Sequence, residues 1–271
     1  MDTGLRGKSV LVTGGASGIG LGISTVLAKE GMDVAIASRS PDPKVKSDIE
    51  AFGVRCELIP ADVAKPEDVK NMVSTAEEAF GSIDCFVNNA AWTWHQPFTK
   101  ITLDAWENTM NTNLRGCMLA CKYMSKAMIR RQAGNIIIIG STVRMFSCFC
   151  ETSYRVSKTG LKVMMETIAV ELAPHGIRVN MVTPGHFVTR MTQSIQGEAL
   201  DKLHAVTPCG RSGNPEEIGN AVAFLLSDKL SAFTYGADLV IDGGITLHAL
   251  NPPTKEEIRQ LNIDTDADDD R

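Results

Sequence analysis

The chain has 271 residues, a formal net charge of -5 and 44% hydrophobic residues. These values fit one α/β domain with a sizeable core, and the acidic balance argues against nucleic acid as a partner. No apolar run approaches the ~20 residues that span a bilayer, which excludes a membrane-spanning protein. The first seven residues are polar and the seven cysteines include no C-x-x-C pair, so we expect no signal peptide, reduced thiols, no metal and a cytoplasmic location.

The first predicted strand, at residues 8–13, runs into a glycine-rich loop and then into a helix. Such a loop places a phosphate at a helix N-terminus, where backbone N–H groups and the helix dipole face the anion. Its spacing is G-x-x-x-G-x-G, which differs from the G-x-G-x-x-G of the common dinucleotide fingerprint. The loop supplies five candidate cofactor-binding residues: Gly14, Ser17, Gly18, Ile19 and Gly20.

The second predicted strand, at residues 33–38, ends in a triplet that bears on the choice of cofactor. An acidic residue here would bind the ribose 2′-hydroxyl of NAD, whereas an arginine accommodates the 2′-phosphate of NADP. The triplet is Ser38-Arg39-Ser40, with one guanidinium and no acid. The missing acid favours NADP(H), with NAD(H) also possible, over the alternative that Arg39 is a solvated surface residue.

Strands and helices then continue to alternate. Further strands are predicted at 54–60, 83–87, 135–139, 177–182 and 239–241, and helices at 66–80 and 104–131. This alternation predicts a single doubly wound (Rossmann) α/β domain over residues 1–250, with about seven parallel strands flanked by helices. Residues 251–271 form an acidic tail that we expect to be partly disordered.

Tyr154 and Lys158 lie four residues apart on a helix that is predicted to end before Pro174. Residues at this spacing share one helix face. A fixed positive charge lowers the phenol pKa from its usual value of about 10, which prepares it to exchange a proton with a carbonyl or alcohol oxygen. Y-x-x-x-K alone also fits an ordinary half-exposed helix. The other motifs of the chain are therefore needed to distinguish a catalytic pair from such a helix.

Several motifs in order make the chain resemble a short-chain dehydrogenase/reductase of the single-domain branch, over roughly residues 5–248. They are TGGASGIG at 13–20, Asp62-Val63, NNA at 88–90, Asn113, Ser141, YRVSK at 154–158, Pro184-Gly185 with Thr189, and DGG at 242–244. Ser141 precedes Tyr154 by 13 residues, the spacing usual in that family.

The resemblance implies four catalytic residues. Ser141 and Tyr154 would hydrogen-bond the substrate oxygen, and Tyr154 would be the acid in reduction and the base in oxidation. Lys158 would lower the pKa of Tyr154 and hold the nicotinamide ribose. Asn113 would lie in a kink of the long helix and keep a water in the proton relay. Ser141 would otherwise be a strand-end cap, and Asn113 a surface asparagine.

The resemblance also extends the cofactor site. Besides Tyr154 and Lys158, it adds Asp62, Val63, Asn89, Ala90, Pro184, Gly185 and Thr189. Asp62 could instead start a turn before Pro66, and Asn88 and Asn89 could be turn formers. Two departures matter: Ala91 replaces the family's usual glycine, and Ser17 stands where many NADP-preferring members have a basic residue. Arg39 would then hold the 2′-phosphate alone.

The substrate is left open between two small-molecule classes. The resemblance builds the pocket from three segments that contribute Trp94, His95, Val143, Phe149, Glu151 and His186, and it places a mobile lid at 191–200. The apolar members favour a hydrophobic ketone, and the polar members a sugar or polyol. The spacing Y-x₃-K, rather than Y-x₆-K, favours C=O over C=C chemistry.

The resemblance further implies a homotetramer, or a dimer, formed through the helices at 104–131 and 154–173 and the last strand. Two hypotheses from other functional classes remain open. One is a nucleotide sensor without turnover, and the other is a structural oligomer whose acidic tail recruits partners.

Overall fold

A seven-stranded parallel sheet lies between two layers of helices. The computed structural model describes residues 2–189, 192 and 195–247. The strands are β1 (Ser9–Thr13), β2 (Asp33–Ser38), β3 (Cys56–Pro60), β4 (Cys85–Asn88), β5 (Gly134–Ile139), β6 (Ile177–Pro184) and β7 (Asp238–Ile241). The helices are α1 (Gly18–Lys29), α2 (Pro43–Glu50), α3 (Pro66–Phe80), α4 (Leu103–Met110), α5 (Gly116–Arg131), α6 (Thr152–Leu172), α7 (Glu198–Val206) and α8 (Pro215–Leu226).

The strand order β3-β2-β1-β4-β5-β6-β7 confirms the predicted doubly wound fold. The order reverses between β1 and β4, and in such sheets ligands bind at the carboxyl ends of the strands beside this reversal. The predicted bounds of β2 and α3 are the observed ones, and the other predicted strands differ by only a few residues.

Successive strand residues point to opposite faces of the sheet, so the strands bury both faces. Val10 and Val12 pack with α1, α2 and α8, whereas Leu11 between them packs with α3, α5 and α6. Two apolar clusters therefore hold the helices on the sheet, and the β5 run Ile136–Ile139 contributes to both of them.

The helix predicted at 104–131 is interrupted. Asn111–Arg115 forms a π-helical segment between α4 and α5, and Asn113 lies at its centre. Such single π turns occur frequently at functional sites, because they redirect side chains out of the α-helical register.

Parts of the predicted lid and tail are not covered. Residues 191, 193 and 194 of the lid, and the acidic tail at 251–271, lie outside the described residues. The part of the lid that is described includes the start of α7. Within the described chain, no helix has both the length and the hydropathy needed to cross a membrane.

Candidate active site

The predicted site residues meet at the carboxyl edge of the sheet. The glycine loop follows β1, Asn89 follows β4, Ser141 follows β5 and Gly185 follows the end of β6. Since parallel strands end at the same edge, four segments that are distant in sequence border one region.

The glycine loop is shaped to receive an anion. Helix α1 begins at Gly18, and the side chain of its N-cap residue Ser17 makes no capping hydrogen bond. The first turn of α1 also carries no acidic residue, unlike the first turns of α3 and α8. A Cβ atom on Gly20 would lie 2.1 Å from the carbonyl oxygen of Gly14, so only glycine allows this close backbone approach. The loop therefore fits the pyrophosphate of a dinucleotide.

Asn89 holds the start of this loop in place. Its Nδ2 donates to the carbonyl oxygens of Thr13 (3.1 Å) and Gly14 (3.2 Å). In return, the Thr13 hydroxyl accepts hydrogen bonds from the backbone N–H groups of Asn89 (3.0 Å) and Ala90 (3.1 Å). Sequence reasoning missed Thr13, whose only signal is a hydroxyl at the end of β1. Asn89 therefore does more than form a turn, because its side chain joins the end of β4 to the glycine loop.

An open groove of about 250 Å³ lies beyond the ends of β2 and β3. It is lined by Arg39, Pro60, Ala61, Asp62, Lys65 and Asp68. Asp62 Oδ1 accepts a hydrogen bond from the Ala64 N–H (3.0 Å), which is the turn-forming role considered from the sequence. Nearby, the Ser38 hydroxyl is buried and has no hydrogen-bond partner among the described residues. An orphaned hydroxyl and two cations at the end of β2 fit the adenosine ribose and its substituent.

Lys65 was not predicted as a site residue. It is exposed, and it precedes Pro66 at the N-terminal boundary of α3. Its signal in the sequence was a basic residue three positions after Asp62. A basic residue at this position does not by itself indicate a cofactor site. Only the fold shows that Lys65 and Arg39 line the same groove.

The side chain of Asn113 is fully buried, and both polar atoms of its amide make hydrogen bonds. Its Oδ1 accepts from the Trp92 N–H (2.7 Å), and its Nδ2 donates to the Trp92 carbonyl oxygen (2.9 Å) and to the Ser157 hydroxyl (2.9 Å). Ser157 in turn donates to the Tyr154 carbonyl oxygen (2.7 Å). The π-helical segment thus fastens the loop after β4 to the helix that carries Tyr154, which excludes the alternative of a surface asparagine.

Lys158 lies beneath Tyr154 on α6. Its Nζ donates a hydrogen bond of 2.8 Å to the carbonyl oxygen of Ile139, and the same nitrogen is 5.6 Å from the centre of the Tyr154 ring. The side chain of Ser141 interacts with the Tyr154 phenol and acts to lower its pKa. The Ser141 hydroxyl also accepts from the Val143 N–H (3.4 Å), so it caps the short turn after β5 as well. Ser141, Tyr154 and Lys158 therefore form one cluster.

Burial dominates the ionisation of this cluster. It raises the pKa of Tyr154, the carboxylate of Glu151 adds to that rise, and the side chain of Ser141 opposes it. Burial lowers the pKa of Lys158 to about 8, while nearby Cys117 acts in the opposite direction. The sequence predicted that Lys158 would lower the pKa of Tyr154. The pKa of Tyr154 is raised instead, because desolvation of the buried phenol is the largest influence on it.

Two of the predicted pocket residues form a pair beside the cluster. His95 Nδ1 lies 3.0 Å from Glu151 Oε1. The rings of Trp92 and Trp94 stack, with centroids 6.2 Å apart. Val143 is half-buried, but Trp94 is 58% and Phe149 91% exposed, so these two aromatic residues do not enclose a pocket in this structure.

His186, which was also predicted to line the substrate pocket, lines a cavity that Tyr154 does not border. Its Nδ1 lies 2.9 Å from the hydroxyl of Ser212, which also lies 2.8 Å from His204 Nε2 on α7. His186 lines a cavity of about 150 Å³ with parts of α7 and α8, and the lining includes none of Ser141, Glu151 and Tyr154. Thr189 instead reaches the glycine loop, since a Cβ on Gly18 would lie 3.3 Å from its Cβ.

Known proteins resemble this chain over most of its length. A family model described as "Enoyl-(Acyl carrier protein) reductase" matches residues 14–246. The L-rhamnose 1-dehydrogenase (NAD(P)(+)) of Sphingomonas sp. (strain SKA58) is 34% identical over 89% of this chain and 97% of that protein. The 3-oxoacyl-[acyl-carrier-protein] reductase of Staphylococcus epidermidis (strain RP62A) is 36% identical over 88% of this chain and 98% of that protein.

Solved structures agree with the sequence relatives. A short-chain dehydrogenase from Burkholderia cenocepacia J2315, solved in complex with NADP, superposes with a TM-score of 0.83. It is 33% identical and covers 89% of this chain and 98% of its own. The match extends over the sheet, the glycine loop and the Tyr154 helix together, and on these grounds the chain belongs to the short-chain dehydrogenase/reductase family, whose members are oxidoreductases acting on alcohols and ketones.

Proposed function

We propose that the protein is an NADP(H)-dependent dehydrogenase/reductase that interconverts a ketone and a secondary alcohol, with Tyr154 as the general acid and base. The observation that carries the proposal is the cluster of Tyr154, Ser141 and Lys158, with the Lys158 nitrogen 5.6 Å from the centre of the Tyr154 ring, at the same sheet edge as the glycine loop. The nicotinamide, when bound, supplies or accepts the hydride.

The protein's own residues manage the proton. In reduction, Tyr154 donates its phenolic proton to the oxygen of the carbonyl, and the Ser141 hydroxyl donates a hydrogen bond to the same oxygen. Lys158 stabilises the phenolate that remains. Asn113 acts indirectly, because it holds the backbone around Trp92 and Ser157 in position. In oxidation the proton moves in the opposite direction.

The groove at Arg39 supports NADP over NAD. A 2′-phosphate needs charge-assisted donors, and Arg39 and Lys65 provide two cations on this groove. Asp62 and Asp68 line the same groove and offset part of this charge, so we propose a preference for NADP rather than strict selectivity. The named cofactors of two relatives, NAD(P)(+) and NADP, agree with this preference.

The spacing of the catalytic pair supports carbonyl chemistry rather than reduction of a C=C bond. The matching family model is described by an enoyl reductase, but Tyr154 and Lys158 are separated by three residues, not six. The two curated relatives are named for a sugar dehydrogenase and a 3-oxoacyl reductase, both of which act at C–O centres.

Nicotinamide absorbance tests the proposal directly. NADPH loss is followed with cyclic and aromatic ketones and diketones, and NADP⁺ reduction with sugars and polyols. Turnover in either set supports an oxidoreductase. Tight NADPH binding without turnover across both sets would contradict the proposal and favour a nucleotide sensor.

We also propose that the active form is a homo-oligomer paired through α6. This helix exposes Val156, Val163 and Val170, which are seven residues apart and lie along one stripe. A second copy of α6 offers the same stripe, as a two-fold interface requires. Light scattering on Val163→Asp should show a smaller species than the unmodified protein. An unchanged mass would refute pairing at this surface.

A further inference from the structure

Glu151 carries a buried oxygen that nothing in the described chain satisfies. Oε1 pairs with His95 at 3.0 Å, but Oε2 is buried and lacks a hydrogen-bond partner among the described residues. The side chain is 16% exposed. A desolvated carboxylate oxygen without a donor is unfavourable, so such a group in a cleft marks a place where a ligand supplies the donor.

The position of Glu151 brings it close to the reacting group. It precedes Tyr154 by three residues at the start of α6, and its charge acts directly on the Tyr154 phenol. Residues three apart at a helix start are neighbours. A ligand whose carbonyl oxygen meets Tyr154 therefore places its adjoining atoms near Glu151.

The backbone fixes this carboxylate in place. Cys150 has a φ of 62°, a left-handed conformation that is unfavourable for a non-glycine residue. The Gln96 N–H donates to the Cys150 carbonyl oxygen (3.2 Å), which ties the loop carrying His95 to the loop carrying Glu151. Strain held by such a tie is typical of functional positions.

A second orphaned group lies on the His95 loop. The hydroxyl of Thr93 is buried and, like Glu151 Oε2, has no hydrogen-bond partner in the described part of the chain. Two loops that flank the catalytic cluster thus each present an unsatisfied polar atom. A purely apolar substrate would leave both unsatisfied.

We propose that Glu151, assisted by His95, accepts a hydrogen bond from a substrate hydroxyl next to the reacting carbon, and that the substrate is a sugar, a polyol or a related hydroxy ketone. This inference rests on the proposed function. A carboxylate only accepts hydrogen bonds, so its partner must be a donor. Because His95 already pairs with the carboxylate, a neutral hydroxyl suffices. An acyl thioester offers no donor beside its ketone.

The test compares matched substrates that differ by one hydroxyl. Acetoin is compared with butanone, and 2-hydroxycyclohexanone with cyclohexanone, by the kcat/KM for reduction. A site built to bind a hydroxyl rejects the analogue without it, so the hydroxylated member should be favoured about 10²-fold or more. 3-Oxobutanoyl-N-acetylcysteamine represents the acyl thioesters and should be the poorest substrate.

Variants of Glu151 test whether this residue causes the preference for the hydroxylated substrate. The relevant ratio is the kcat/KM of the hydroxylated ketone divided by that of its analogue without the hydroxyl. Glu151→Gln should lower this ratio about tenfold and Glu151→Leu should bring it close to one, while the Kd for NADPH stays unchanged. Removing this charge also alters the phenol pKa, but that effect is common to both substrates and cancels in the ratio. Glu78→Gln, at an exposed position on α3, is the matched control and should leave the ratio unchanged.

The outcomes separate the two proposals. A ratio near one in the unmodified protein, or a preference for the thioester, overturns the inference while leaving the oxidoreductase proposal intact. A ratio that survives in both Glu151 variants also overturns it. Bound NADPH with no turnover of any substrate overturns the proposed function itself.

Discussion

Lys158 Nζ donates a 2.8 Å hydrogen bond to the carbonyl oxygen of Ile139, the last residue of β5. This contact joins the helix that carries Tyr154 to the carboxyl edge of the sheet. The ammonium is buried in a fixed position before any ligand arrives, so the electrostatics of the site are organised in advance.

Replacing Tyr154 by phenylalanine removes the proposed acid and little else. We expect kcat to fall about 10²-fold or more, because the carbonyl oxygen loses its proton donor. The Kd for NADPH, measured by fluorescence titration, should change little. Tyr235→Phe, at a surface-exposed tyrosine, is the control and should be fully active. Near-normal turnover by the Tyr154 variant would refute the assignment.

The pH profile of reduction should follow Lys158. Burial lowers its pKa to about 8, so its charge is present below that pH and disappears as the pH rises through it. The raised pKa of Tyr154 keeps the phenol protonated at neutral pH. We therefore expect kcat/KM for reduction to be level at lower pH and to decrease above about pH 8.

Lys158→Arg checks which group causes this decrease. A guanidinium stays charged in this range, so the inflection near pH 8 should vanish even if the overall rate is lower. The same inflection in the arginine variant would assign it to another group.

Cofactor preference should depend on both cations of the groove. Arg39→Asp should weaken NADP binding about 10–100-fold and leave NAD binding largely unchanged, because only the 2′-phosphate loses a charge-assisted donor. Lys65→Gln should have a smaller effect in the same direction. Isothermal titration with both cofactors measures the ratio.

The control for the groove is Lys70→Gln, an exposed lysine on α3 that does not line it. It should leave both affinities unchanged. Equal losses for NADP and NAD in the Arg39 variant would show that the guanidinium does not contact the 2′-phosphate.

Asn113→Ala should affect stability and turnover together. The substitution removes three buried hydrogen bonds and leaves the Trp92 groups without partners, which costs about 1–3 kcal/mol for each unsatisfied group. Urea unfolding measures the loss, and Asn108→Ala on the exposed side of α4 is the control. A variant as stable as the unmodified protein would show that the amide does not hold the loop.

The sheet could be predicted because its signals are local. Continuous apolar runs such as that of β5 identify buried parallel strands, and Pro66 and Gly81 delimit α3 at the predicted residues. The helical pattern of residues 104–131 gave no sign of the π-helical segment, and only the family resemblance placed a kink at Asn113, where contacts to Trp92 are observed.

The clustering of Ser141, Tyr154 and Lys158 could be predicted from the spacing of their motifs, and the structure brings the three together, while their catalytic roles stay predictions. Lys65 and Thr13 depend on which strands end side by side, and no local spacing records that. The direction of the Tyr154 pKa was predicted wrongly for the same reason, since the extent of burial is a property of the whole fold.

The anchoring of Lys158 to the sheet divides the site into parts that can change separately. The groups that we propose to move the proton lie on α6 and at the end of β5, whereas His95 and Glu151 lie on or at the ends of loops. Substitutions in these loops can alter which molecule is accepted while the reaction stays the same. Directed evolution confined to residues 92–97 and 145–151 should therefore yield new substrate ranges at little risk to catalysis.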